Sequence, residues 1–116
     1  MSKVEKYFRL AAQVAEHGDK LRQYRLGAVG IRNDGVIVTS SNTRCRSPQK
    51  RAHAETRLVR KLNRDSVVFV VRILRNGALA NAKPCPDCQK ALRGRGIKRV
   101  YYSIGTCHYG VLIFNE

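Results

Sequence analysis

The sequence has little that would place the protein in a membrane, outside the cell or in a disulfide-linked scaffold. Its longest uninterrupted apolar run covers residues 67–71, far short of the roughly 20 residues that a bilayer-crossing helix needs. The first six residues contain no apolar segment typical of a secretory signal. Four cysteines are few for a disulfide scaffold, so we expect reduced thiols that bind a metal or pack in the core. These absences favour a cytoplasmic protein with no membrane partner.

Acidic residues are also scarce. Eight Asp and Glu residues stand against 23 Lys and Arg residues, which gives a formal net charge of +15. The basic residues concentrate in segments 44–64 and 90–99. This charge indicates either a solvated basic face or an anionic partner, such as single-stranded nucleic acid. Tryptophan is absent, and the aromatic residues left for stacking on bases are Tyr24, Tyr101, Tyr102 and Tyr109.

The length and the order of elements predict one α/β domain over residues 1–116. Apolar spacing and turn residues predict helices that begin near residues 4, 52 and 84 and end near 17, 63 and 93. Strands are predicted over 26–31, 36–40, 67–74, 100–104 and 111–114, with a hairpin turn at 32–35 and a strand end at Asn76-Gly77. We therefore expect three layers, α-β-α, around a five-stranded mixed sheet.

The last connection decides how the sheet ends. Only six residues separate the predicted strands 100–104 and 111–114. A parallel crossover normally needs a dozen or more residues. The last two strands are therefore expected to form an antiparallel hairpin.

Two short motifs carry the chemistry, H-A-E at residues 53–55 and P-C-P-D-C at residues 84–88. Each lies at the predicted start of a helix, beside the strand ends where ligands bind in open α/β sheets. Cys85 and Cys88 share one helical face, and His53 can approach from the neighbouring helix. Two thiolates and one imidazole suit zinc, and three protein ligands leave a fourth position open, as in catalytic zinc sites.

This motif pair resembles that of the zinc-dependent nucleobase deaminases, H-x-E followed by P-C-x-x-C. The likeness to the cytidine and deoxycytidylate deaminase superfamily covers most of the chain, from residue 27 to residue 102. Segment 91–100 is also similar to the segment after the cysteines in that family. The resemblance implies a cytidine-deaminase-like fold, a Zn²⁺ cofactor and a homo-oligomer in which neighbouring subunits complete the pocket.

The resemblance also implies a role for individual residues. His53, Cys85 and Cys88 would bind zinc, and Glu55 would move the protons of the reaction without binding the metal. The backbone at Ala54 and Cys85 would face the base, and Asn42 would contact the sugar. The basic loop over 44–51, with Arg44 and Arg46, could hold a phosphate.

Each motif taken alone has a simpler interpretation. A C-x-x-C pair could be a redox pair or half of a structural zinc site. The candidate fourth ligands of such a closed site are Cys45, Cys107, His17 and His108, and none of them forms a recognisable pair with another. A redox pair would need neither His53 nor Glu55, and a structural site has no use for a nearby proton shuttle.

Three hypotheses remain for the partner. The first is a deaminase of a free pyrimidine nucleoside or nucleotide. That branch of the family resembles the topology with the predicted terminal hairpin, but it more often carries Cys at the position of His53. The second is a deaminase of cytosine in single-stranded DNA or RNA, which the net charge of +15 favours. The third is a basic nucleic-acid-binding module whose zinc only holds the fold. A purine base ranks below cytosine because of the terminal hairpin.

Overall fold

The computed structural model describes residues 3–16, 24–41, 58–74, 76–105 and 108–114. These residues form helices α1 (Lys3–Glu16) and α2 (Pro86–Arg95) and strands β1 (Tyr24–Ile31), β2 (Ile37–Ser41), β3 (Val67–Leu74), β4 (Leu79–Ala80), β5 (Arg99–Gly105) and β6 (His108–Ile113). No helix among the described residues is long and apolar enough to cross a membrane.

The strands form one mixed sheet in the order β2-β1-β3-β5-β6. Strand β1 is antiparallel to both β2 and β3, so β2 and β3 run in the same direction on either side of it. Strand β3 is parallel to β5, and β5 is antiparallel to β6. The predicted mixed sheet and its C-terminal antiparallel hairpin are therefore confirmed.

A sixth strand, β4, was not predicted. Its two residues pair antiparallel with the end of β3, so that Ile73 lies opposite Leu79. The turn that joins them is closed by a hydrogen bond from the Leu74 N–H to the Ala78 oxygen (2.9 Å), and Gly77 supplies a left-handed φ of 88°. Asn76-Gly77 therefore ends β3 as predicted, but it does so as the turn of a hairpin.

Alternation along β3 divides the core into two layers. Phe69, Val71 and Ile73 pack towards α1, together with Ala11 and Ala15 of that helix. Val68 and Val70 point to the opposite face of the sheet, where the buried residues are Leu58, Leu62, Leu92, Ile97 and Val100. A strand that is buried on both faces reads as a nearly continuous apolar run, which is why 67–74 is recognisable in the sequence.

The predicted helix over 52–63 ends earlier than expected. Leu58 and Val59 are helical, and the chain turns at Arg60 and Lys61. The reason lies in Asn63, whose side chain accepts a hydrogen bond from the Asn33 N–H (3.1 Å) and donates one to the Asn33 side chain (3.0 Å). These bonds tie Asn63 to the β1–β2 turn, across 30 residues of sequence, in place of a continued helix. Residues 51–57 lie outside the described residues.

Candidate metal centre

The two cysteines of the P-C-P-D-C motif lie at the first turn of α2. Cys85 is the N-cap residue, with an extended backbone (φ −66°, ψ 163°), and Pro86 follows at the first helical position. Proline suits that position because its missing N–H would have no helical partner. The Gln89 N–H donates to the Cys85 oxygen (2.9 Å), which closes the turn. Cys88 therefore comes onto the same helical face as Cys85, as predicted.

The thiols of Cys85 and Cys88 are 3.4 Å apart, and neither forms a disulfide. The Cys88 side chain is buried in the domain, whereas Cys85 is half-buried. Within the described helix, the Cys85 side chain makes no capping hydrogen bond. The Cys85 thiol is therefore not used to cap α2.

The donor pair fits zinc. Tetrahedral zinc with Zn–S bonds of about 2.3 Å holds two sulfur atoms about 3.8 Å apart, so a small side-chain rotation would bring the pair to that spacing. The positive end of the α2 dipole lies at the same turn as the two sulfur atoms. The described residues contain no group of three His, Cys, Asp or Glu side chains that could hold a metal, so a third protein ligand would come from outside the described ranges.

The loop that precedes α2 is anchored to the end of β5. Ser103 is buried, and its hydroxyl donates to the Ala80 oxygen (2.8 Å). The Ala82 N–H donates to the Ser103 oxygen (2.8 Å). On the helix side, the Gln89 side-chain amide donates to the Pro84 oxygen (2.8 Å). These bonds hold the segment that carries both cysteines from two sides.

Ser103 and Gln89 support the cysteine segment, and neither was predicted to do so. Ser103 lies in an ordinary strand pattern, and its contact with Ala80 spans 23 residues, so no local signal marks it. Gln89 follows Cys88 directly, and its contact with Pro84 is local, so the spacing of the two residues at the helix start is a signal that could have identified it.

The other six predicted catalytic, metal-binding and substrate-binding residues all lie outside the described residues. These are the proposed zinc ligand His53, the proton carrier Glu55 and the substrate contacts Asn42, Ala54, Arg44 and Arg46. The described segment that contains β2 ends at Ser41, and the next one begins at Leu58. The predicted roles of all six residues therefore stay predictions.

The aromatic residues considered for base stacking divide between core and surface. Tyr101 is half-buried and stacked on Phe69, with ring centroids 4.7 Å apart, so one face of its ring is already in contact within the protein. Tyr102 packs against the other core cluster. Tyr109 is half-exposed, and the side chain of Tyr24 lies outside the described part of the structure.

In the comparison with family models, one model matches nearly the whole chain. The model of the cytidine and deoxycytidylate deaminase zinc-binding region matches residues 1–104. That range includes both the H-A-E and the P-C-P-D-C motifs. Among curated proteins, no sequence matches the chain significantly.

Solved structures share the fold at low sequence identity. The cytidine deaminase from Burkholderia pseudomallei is 15% identical, with a TM-score of 0.71 over 98% of this chain and 94% of that chain. The cytidine deaminase from Mycobacterium leprae is 18% identical, with a TM-score of 0.64 over 98% of this chain and 95% of that chain. The enzyme from Mycobacterium tuberculosis is 18% identical, with a TM-score of 0.60 over 89% and 85%. At these identities the likeness establishes the fold.

Proposed function

The chain belongs to the cytidine and deoxycytidylate deaminase family, and on this premise we propose that it is a zinc-dependent hydrolytic deaminase. Its reaction converts a cytosine base to uracil. Water adds to the ring carbon that carries the amine, and ammonia leaves, so neither an oxidant nor a reductant is needed. The observation that carries the proposal is the thiol pair of Cys85 and Cys88, 3.4 Å apart at a helix start.

In this proposal His53, Cys85 and Cys88 hold the metal. Zinc, when bound, would lower the pKa of water, so that a nucleophile is present near neutral pH. The Glu55 carboxylate would take a proton from the attacking water and pass it to the ring nitrogen of the base. It would then take the proton of the newly added hydroxyl and deliver it to the departing amine as the carbon–nitrogen bond breaks. The backbone at Ala54 and Cys85 lies against the base and orients it.

The substrate that we propose first is a free cytidine or deoxycytidine, or its monophosphate. The solved structures with this fold are described as cytidine deaminases, and the antiparallel β5–β6 hairpin matches the topology that favours this branch. Asn42 would contact the sugar. Arg44 and Arg46 would bind a phosphate if one is present, because guanidinium groups pair well with phosphate oxygens.

A second candidate is a deaminase of cytosine in single-stranded DNA or RNA. The observation that favours it is the net charge of +15, which exceeds what capture of one phosphate requires. An unpaired cytosine would enter the same pocket while basic side chains contact the backbone. Turnover would then fall steeply with salt, whereas turnover of a free nucleoside would not.

The test compares the parent protein with Glu55→Ala on cytidine, deoxycytidine, their monophosphates and a single strand that contains cytosine. Formation of the uracil product is measured by mass spectrometry at about 50 mM and about 200 mM salt, with zinc content measured alongside. Turnover of a monomer, with a loss of about 100-fold or more in Glu55→Ala, would support the first candidate. Turnover of the strand alone would support the second.

Two outcomes would contradict the proposal. Full activity of Glu55→Ala would remove Glu55 from the mechanism. Stoichiometric zinc without turnover of any cytosine substrate would favour a purine base or a binding module with structural zinc. Adenosine and guanosine are therefore included as substrates, and product formation from either would identify the purine case.

We also propose that the protein is a homo-oligomer. Part of the described surface is apolar, with Tyr109, Val111 and Ile113 exposed by 39–66% on one face of β6. Strand β6 is an edge of the described sheet, so a second copy could cover this face. The mass in solution, measured by light scattering, tests the proposal, and a monomer of 13.1 kDa at micromolar concentration would refute it.

A further inference from the structure

A cluster of cations surrounds the C-terminal end of α2 and the turn that follows Val59. We call this surface the basic belt; it consists of Arg60, Lys61, Arg64, Arg93, Arg95 and Lys98. Five of these side chains are exposed and Lys98 is half-buried. The intervening segments 58–66 and 93–98 contain one carboxylate, Asp65.

Contacts between its members make the basic belt one surface. The Arg95 guanidinium donates from Nε to the Val59 oxygen (3.1 Å) and from Nη2 to the Arg60 oxygen (3.4 Å). The aliphatic stem of Arg64 packs on Gly96. Arg93 lies over the ring of Phe114, 5.3 Å from its centroid, and the Phe114 N–H donates to the Lys98 oxygen (3.2 Å).

These contacts hold the cations without neutralising them. The acceptors of Arg95 and Lys61 are backbone carbonyls, with the Lys61 ammonium 2.7 Å from the Thr39 oxygen. No cation of the basic belt pairs with a carboxylate of the described residues, and the ion pair seen there, between Arg32 and Asp34, lies outside the belt. The charges are thus partly ordered before any anion binds, which lowers the entropy lost on binding.

Stabilisation of the C-terminal end of α2 explains the presence of only some of the cations in the basic belt. Arg93 and Arg95 in the last turn of α2 complement the negative end of the helix dipole, and Arg95 also satisfies free carbonyls of the preceding helical segment. Arg60, Arg64 and Lys98 have no such role. In contrast, α1 carries mixed charge, with Glu5 and Glu16 among its basic residues.

The basic belt lies away from the cysteine pair. It surrounds the C-terminal end of α2, whereas Cys85 and Cys88 lie at the N-terminal end of the same helix. Along the helix axis, Cys88 and Arg93 are five residues or about 7.5 Å apart, and Cys85 and Arg95 are ten residues or about 15 Å apart. The basic belt is therefore a second surface and not a part of the proposed metal centre.

We propose that the basic belt binds the phosphate backbone of single-stranded nucleic acid. Four of its six cations are arginines, whose planar guanidinium groups bind phosphate oxygens with two donors. Its aromatic contact, Phe114, lies beneath Arg93, so the belt presents cations rather than the apolar anchors of a protein interface. Without an exposed ring among its residues, it contacts phosphates and does not select bases. The proposal does not depend on the proposed deamination.

The test measures binding of a fluorescent oligothymidylate of about 20 residues by anisotropy, because thymine has no amine to remove and binding is then separate from turnover. The belt variant carries Arg60→Gln, Arg64→Gln and Arg93→Gln. The control variant carries Lys3→Gln, Lys6→Gln and Arg9→Gln on α1, so both variants lose three charges from exposed sites. Circular dichroism and thermal unfolding confirm that each variant is folded.

The parent protein is expected to bind with an affinity whose logarithm falls against the logarithm of salt concentration with a slope of about −3 to −4. The belt variant should lose about 2 from the magnitude of this slope and about 100-fold in affinity at about 0.1 M salt. The control variant should lose less than about threefold. An equal loss in both variants, no binding by the parent protein at about 50 mM salt, or tighter binding to phosphatidylserine vesicles than to the oligonucleotide would each overturn the proposal.

Discussion

Replacement of Gly27 by alanine tests the contact between α1 and the sheet. A Cβ atom at Gly27 would lie 2.2 Å from the Ala11 oxygen, 2.5 Å from the Ala15 nitrogen and 2.9 Å from the Ala15 Cβ. Two of these atoms belong to the backbone, so rotation of a side chain cannot relieve the overlap. Real Cβ atoms essentially never approach closer than 3.0 Å, and α1 must therefore move away from β1 by at least 0.8 Å.

The size of the effect depends on the residues that α1 covers. A withdrawal of about 0.5–1 Å forfeits a quarter to a half of the dispersion energy at each contact, and α1 packs on Val29, Phe69 and Val71. Overpacking of a core usually costs about 1–3 kcal/mol, and a backbone clash belongs at the upper end. We expect Gly27→Ala to lower the free energy of unfolding by about 3 kcal/mol. For 116 residues this corresponds to a fall in Tm of about 12 °C.

The assay is thermal unfolding followed by circular dichroism, with Gly94→Ala as the matched control. Gly94 lies in α2, and nothing lies within 4 Å of a Cβ placed there. Because glycine weakens a helix, the control should raise the free energy of unfolding by about 0.5 kcal/mol. A Tm of Gly27→Ala within about 3 °C of the parent protein would refute the close approach of α1. Zinc content of the folded fraction should be unchanged, since α1 and the cysteines lie on opposite faces of the sheet.

Two further predictions concern the cysteine segment. Cys88→Ala should lose zinc and unfold at a lower temperature, because metal binding is coupled to folding. A chelator should lower the Tm of the parent protein but not that of the variant. Stoichiometric zinc in the variant would exclude Cys88 as a ligand. Gln89→Leu removes the bond to the Pro84 oxygen and should cost about 1 kcal/mol and release zinc faster to a chelator. Gln13→Leu, at an exposed position of α1, is its control, and equal zinc release from both would contradict a supporting role of Gln89.

Features of the fold that depend on local signals were predictable. Asn33-Asp34-Gly35 predicted a hairpin turn, and Ile31 lies opposite Ile37 across it, with Gly35 at a φ of 89°. The apolar run 67–74 predicted β3 with the bounds that the structure has. The C-x-x-C spacing predicted thiols on one helical face, and the 3.4 Å separation bears this out. Each of these features is decided by residues within one turn or one strand.

Features of the fold that depend on contacts between distant residues were not predictable from the sequence. Strand β4 has two residues, too few for a periodic pattern, and exists because Leu79 and Ala80 pair with β3. The early end of the helical segment at Val59 results from contacts between Asn63 and Asn33, 30 residues apart. The local sequence favours a longer helix there, and the tertiary hydrogen bonds override that propensity.

The two hypotheses for the substrate differ in how many places along α2 the substrate contacts. Pro86 begins the helix and Gly96, in the left-handed conformation, ends it. The rise along the helix axis, about 7.5 Å from Cys88 to Arg93 and about 15 Å from Cys85 to Arg95, therefore does not vary with the ligand. A single nucleotide has one phosphate next to its sugar and can therefore engage at most one part of the belt. A single strand with its cytosine at the metal centre could place neighbouring phosphates on the belt. If the belt serves catalysis, the belt variant must lose turnover of the strand and retain turnover of cytidine; equal turnover of the strand by both proteins would make the belt a binding surface without a part in the reaction.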